Sequence, residues 1–159
     1  MTGKRFVEKA VGALLASITA DFETQLRAVE VDLGLDPGTL PDPEAYVQTR
    51  AEAENNNQSP MIAVYDEGFD VVQQRQRLYT VDCSVALAMV GMADLTALVV
   101  QLRRYLTAMI QTLDLNPTLS PAVGTTALIM PGAAFAELGD RSTTRLVYVI
   151  PVQVRVHSP

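Results

Sequence analysis

Residues 78–113 read LYTVDCSVALAMVGMADLTALVVQLRRYLTAMIQTL, and the period of the apolar residues changes once within them. From Tyr79 to Met89 the period is two. Tyr79, Val81, Cys83, Val85, Leu87 and Met89 share one face, while Thr80, Asp82, Ser84, Ala86 and Ala88 share the other. Successive side chains of a strand point to opposite faces, so the pattern predicts a long strand with one buried and one wetter face. After Gly91 the spacing becomes three and four, through Leu95, Leu98, Val99, Leu102, Leu106, Met109, Ile110 and Leu113. That spacing makes one apolar stripe on a helix. Asp94 stands at the N-cap position, where its carboxylate can accept from the free amides of the first turn. A strand at 79–89 and a covering helix at 95–113 form the pair on which the other elements are layered.

On the N-terminal side, Phe6, Val7, Ala10, Val11, Leu14, Leu15, Ile18, Phe22, Leu26 and Val29 form a second helical stripe. Glu8, Lys9, Asp21, Glu23, Arg27 and Glu30 lie opposite it. The expectation is one amphipathic helix over 4–31, its stripe buried on the sheet or against another subunit. Glu23 and Arg27 are four apart, in the favourable order for an intrahelical pair. Gly12 within the pattern costs about 1 kcal/mol relative to alanine and would suit a close approach to a neighbour. Residues 32–60 read as an irregular exposed insertion, because LGLDPGTLPDPEAY carries three prolines and two glycines. Asp42-Pro43 there looks like an N-cap followed by proline at the first helical position, which predicts a short helix over 43–54. Glu52 to Ser59 is polar and low in complexity, and reads as an exposed loop.

Met61–Asp66 is a short apolar strand with a turn signal at Glu67-Gly68. Phe69–Gln76 is a connector, and the two strands make a broad antiparallel hairpin. Beyond the second helix, 114–143 reads as a loop-rich connection, with a candidate strand at Thr125–Met130 and an ambiguous stretch at Ala133–Asp140. The last strand spans Thr144–Val156. Leu146, Tyr148, Ile150, Val152, Val154 and Val156 define one face, and Arg145, Val147, Val149, Gln153 and Arg155 the other. Pro151 has no N–H to donate, so the strand is at an edge there or bulged. The expected fold is α+β: an antiparallel, mainly four-stranded sheet packed with two long helices in the order α-β-β-α-β-β. The 159 residues are expected to form a single domain.

Composition narrows the function. Twelve basic and 18 acidic residues leave a net charge of −6, which disfavours non-specific phosphate binding. One cysteine cannot form an intrachain disulfide. No apolar run approaches the roughly 20 residues that span a bilayer. Lys4 and Arg5 before VGALLASITA imitate a signal peptide, but Glu8 and Lys9 interrupt the apolar part. Asn57-Gln58-Ser59 matches the glycosylation acceptor pattern, which has meaning only after export.

Residues for chemistry are sparse. Cys83 falls on the apolar face of the long strand, where it reads as a small buried hydrophobe. His157, the only histidine, lies near the end in a segment expected to fray. One histidine and one cysteine cannot assemble a His/Cys metal site within one chain. No two glycines stand at phosphate-loop spacing. The expectation is therefore no enzyme, no catalytic residue, no metal and no cofactor. Arg103 and Arg104 lie on the polar side of the second helix, as a wet face or a subunit contact. Arg75, Arg77, Arg141 and Arg145 flank strand ends, as contacts to phosphate or partner acids or as ordinary surface charge.

A long helix and an irregular segment lead to a strand with a turn (MIAVYDEG). A Gln/Arg-rich connector then enters a long alternating strand (RLYTVDCSVALAMV), a helix (LTALVVQLRRYLTAMIQTL) and a final valine-rich strand (TRLVYVIPVQVRV). This succession resembles the tail terminator, or tail completion, proteins of long-tailed bacteriophages and of related prophages and gene transfer agents. The likeness covers residues 60–157, with the first helix in support. The Asn run within 32–60 and the proline in the last strand depart from the pattern. The resemblance implies an α/β fold with an antiparallel sheet flanked by helices, assembled as a hexameric ring at the head–tail junction of the virion. Such a ring is built in the bacterial host cytoplasm. It sits on the last ring of the major tail tube protein, ends tail polymerisation and offers a surface to the head-side connector or adaptor. DNA passes through its lumen without sequence-specific binding, and no membrane is involved. Another neck component, for head closure or head–tail joining, has a related texture; an unrelated small α+β binding module is the third possibility.

Overall fold

The computed structural model describes residues 4–55, 58–73, 78–91, 95–116, 118–120, 125–129, 134–139 and 144–157. The first helix, α1, spans Lys4–Asp32. Its stripe, Phe6 through Val29, is buried against the chain's own sheet and the other long helix. The helix ends in a Schellman cap. Gly34 takes φ +68°, Gly34 N donates to Val31 O at 3.1 Å, and Leu35 N donates to Glu30 O at 2.8 Å. Only glycine adopts that φ without a Cβ penalty, so its position sets where the helix stops. Gly12 marks no close approach, since a Cβ there would meet nothing within 4 Å among the described residues.

After α1 the chain forms strand β1 (Ala45–Val47) and a short helix α2 (Arg50–Asn55), instead of one helix over 43–54. Two local contacts explain the difference. Asp42, expected to cap, is drawn to Arg27 at 2.9 Å. The cap forms later, where Thr49 Oγ1 accepts from Glu52 N at 3.1 Å and Glu52 Oε2 accepts from Gln48 N at 3.3 Å. The sequence Thr49-Arg50-Ala51-Glu52 has the spacing of a capping box.

Strand β2 covers Met61–Gln73 and strand β3 Leu78–Gly91, and they pair antiparallel as expected. The anticipated turn at Glu67-Gly68 is instead a register shift between Asp66 and Gly68, so the strand continues through Phe69. A bulge adds one residue to one strand and lets it bend without ending. Helix α3 spans Leu95–Leu115. The segment expected to be loop-rich contains strands β4 (Thr118–Ser120), β5 (Thr125–Ile129) and β6 (Ala134–Gly139). Strand β7 spans Thr144–His157 and pairs with β3 along its whole length, His157 opposite Leu78, so the terminus is held in register where fraying was expected.

The sheet runs β1-β2-β3-β7-β5-β4, with β6 also on β7. It is mixed and not purely antiparallel, because β1 pairs parallel with β2. Strands β5 and β6 share one flank of β7. Ile129 pairs with Val152 and Ala134 with Val149, leaving Ile150 and Pro151 without a partner on that flank among the described residues. Proline cannot donate to a ladder, and Pro151 stands opposite Ser84 of β3.

The α1 and α3 helices cover one face of the sheet. Val81, Cys83, Val85, Leu87 and Met89 of β3 meet Leu146, Ile150, Val152, Val154 and Val156 of β7 beneath them. The opposite face is drier than its residue types suggest. Ala86 and Ala88 are buried with Met61, Ala63 and Tyr65, and Ala53 of α2 packs over them. Small side chains there let a short helix lie close to the strands, while Asp82 keeps its polar end half-buried.

Candidate interaction surfaces

Three places on the molecule carry polar or exposed groups in a definite arrangement. The first is a clamp between α1 and the strap that follows it. Glu30 is buried, with 1% of its surface exposed. Its Oε1 lies 2.9 Å from Arg27 Nη1, and its Oε2 accepts from the backbone N–H of Leu40 at 3.0 Å. Arg27 Nη2 in turn donates to Leu40 O at 2.5 Å and to Asp42 Oδ1 at 2.9 Å. Tyr105 of α3 donates its hydroxyl to Pro41 O. Arg27 therefore pairs across the strap with Asp42 and along the helix with Glu30. The expected partner, Glu23, instead accepts from Tyr46 OH at 3.3 Å. Both phenols are pushed above the ordinary tyrosine range by burial first; for Tyr46 the Glu23 charge adds to it, and for Tyr105 Arg27 partly offsets it.

Glu30 was placed on the polar face by its charge. Its position gave the opposite signal, because it stands four residues after Leu26 and eight after Phe22, on the same stripe. A carboxylate at that position requires a cation and an N–H donor nearby, and the strap supplies the donor.

The second place is a groove of about 300 Å³ between the end of α1 and the outer side of α3. Val29, Asp32, Leu33, Val100, Arg103, Arg104, Thr107 and Gln111 line it. Leu33 and Val100 are 51% and 40% exposed. Arg103 and Arg104 thus border an apolar hollow, an arrangement that a plain solvated helix face does not have. Of the other candidate arginines, Arg145 is not brought to it. Arg145 lies on β7 and donates to the Ala53 carbonyl at the end of α2, where a cation offsets the helix dipole. Arg75, Arg77 and Arg141 lie outside the described residues.

The third place is the free flank of β2. Strand β1 pairs only with Met61–Ala63, so from Val64 onward β2 has no strand on that side among the described residues. Asp66, Glu67, Phe69 and Asp70 are exposed along it. Phe69 is 50% exposed, although its inner edge meets Phe6 at a ring separation of 5.1 Å. Phe6 also stacks on Tyr79 at 4.2 Å. The sequence hid this edge behind an apparent turn.

Cys83 is buried beneath the helices. Burial, then the charges of Asp66 and Asp82, pushes its thiol up to about 12. The thiol is therefore protonated and unreactive at neutral pH. Among the described residues, no three His, Cys, Asp or Glu side chains gather as a metal site, and no helix is long and apolar enough to cross a membrane. No protein-family model matches this chain, and no curated protein matches it either.

Proposed function

We propose that this chain is a structural subunit of the head–tail junction of a long-tailed virion, of the tail terminator kind. Copies assemble as a ring, cap the tail tube, end its polymerisation and present a surface for head attachment. The observation that carries the proposal is the presence of two unlike exposed surfaces on one subunit. One is an open strand edge bearing an aromatic side chain and carboxylates. The other is an apolar groove bordered by two arginines. Unlike surfaces associate head to tail, and such contacts generate rings when the rotation closes. The family resemblance, drawn from the order of a long helix, a strand hairpin, a second long helix and a valine-rich final strand in the sequence, supports the same reading. A net charge of −6 suits a lumen through which DNA must slide without adhering.

The test is light scattering and negative-stain imaging of the purified chain, alone and with tail tube protein. The expected particle is a six-fold ring of six times the 17.2 kDa subunit mass, which binds tube ends and stops their elongation. A chain that stays monomeric at high concentration, with and without tube protein, refutes the assignment. Rings that ignore the tube and bind the head-side adaptor would make the chain a head closure or joining protein instead.

A further inference from the structure

We infer that the groove between α1 and α3 seats the free β2 edge of a second copy of this chain. Phe69 enters between Leu33 and Val100, and Asp66 meets Arg103 and Arg104. This inference rests on the ring assignment and names the contact that would build it.

The two surfaces match in three respects. First, each exposes apolar area that a monomer leaves in water. Phe69 shows half its surface on one side, and Leu33 and Val100 show comparable fractions on the other. Aromatic side chains are enriched at the cores of protein interfaces, where they fill well-packed pockets. Second, the charges are opposite. Arg103 and Arg104 outweigh Asp32 around the groove, and no ion pair joins either arginine to a described residue. The β2 edge carries Asp66, Glu67 and Asp70, and among the described residues Arg50 is the one cation paired with it, 4.0 Å from Glu67. In a chain of net charge −6, a basic hollow and an acidic edge steer two copies together in one orientation. Third, the peg is built as a unit. The register pairs Asp66 with Cys83 and Phe69 with Val81, and both partners face the helix layer. Asp66 and Phe69 therefore share one side of the edge strand, with the bulge between them. The groove lies on that same helix layer but at a different place on it, so the contact joins unlike patches and repeats from copy to copy.

Cysteine pairing tests this directly. Chains carrying Phe69→Cys, Val100→Cys or both are oxidised mildly and run on non-reducing gels, with buried Cys83 staying out of the reaction. The double variant is expected to give a ladder ending at the hexamer. A mixture of the two single variants is expected to give a covalent dimer and nothing larger. Charge reversal is the second measurement. Asp66→Arg is expected to raise the concentration of half-assembly at least about tenfold, because attraction becomes like-charge repulsion. Adding Arg103→Asp and Arg104→Asp to it should restore assembly. These side chains lie at the surface, and an unchanged thermal melt shows that each variant is folded. Rings that form without cross-links, or that ignore Asp66→Arg, overturn this contact and leave the ring assignment standing. A wild-type chain that stays monomeric, together with a double variant that gives no cross-link, overturns both. A cross-linked species that stops at the dimer upholds the contact and removes the ring.

Discussion

Replacing Glu30 by alanine tests the energetics of the strap most sharply. The change removes the carboxylate that caps the buried Leu40 N–H and contacts Arg27. Leu40 is itself buried, so its N–H is left with neither protein nor water. An orphaned buried donor costs about 1–3 kcal/mol. The ion pair adds less than a fully buried one would. Arg27 is 36% exposed and keeps Asp42 and the Leu40 carbonyl, so about 1 kcal/mol is a fair share. The expected loss for Glu30→Ala is therefore about 3 kcal/mol, or roughly 6–12 °C in Tm for a domain of this size. Glu30→Gln keeps an acceptor for Leu40 and loses only the charge, so it should cost about 1 kcal/mol. Urea and thermal unfolding followed by circular dichroism would measure both. An alanine variant within about 0.5 kcal/mol of wild type refutes the clamp. Equal costs for the two variants would show that the Leu40 bond contributes nothing and that the charge is the whole effect.

The remaining predictions concern α1 and β3. Gly12→Ala should stabilise the protein by about 0.5–1 kcal/mol, because the site is helical and a Cβ meets open space; a lower Tm would show that something outside this subunit approaches Gly12. Cys83 titrates near 9 when unfolded and near 12 when folded, so its contribution is full below about pH 9 and is lost as pH rises toward 12. The free energy of unfolding measured from pH 8 to 12 should therefore fall more steeply for wild type than for Cys83→Ala, and identical slopes would contradict the burial argument. At pH 8 a thiol reagent should modify Cys83 only as fast as the chain unfolds; immediate labelling of the native protein would contradict it too.

Local periodicity determined a large part of this protein. The two faces of β3, the alternation of β7 and the stripes of α1 and α3 are all written in the spacing of apolar residues, because burial imposes one period on a strand and another on a helix. The exposed position of Arg103 follows from the same spacing. Tertiary structure decided which partner each ambiguous group took. Asp42 could cap a helix or pair with Arg27, and the approach of the strap to α1 chose the second. Glu67-Gly68 could turn or bulge, and pairing with eleven residues of β3 carried the strand through. Ala86 and Ala88 were assigned to the wetter face and are instead buried, because α2 settled over them. Glu30 looked like surface charge until Leu40, ten residues on, brought it a donor. A residue's period depends on its neighbours in the chain, whereas its partner depends on what the fold delivers from a distance, and only the first is legible in a linear string.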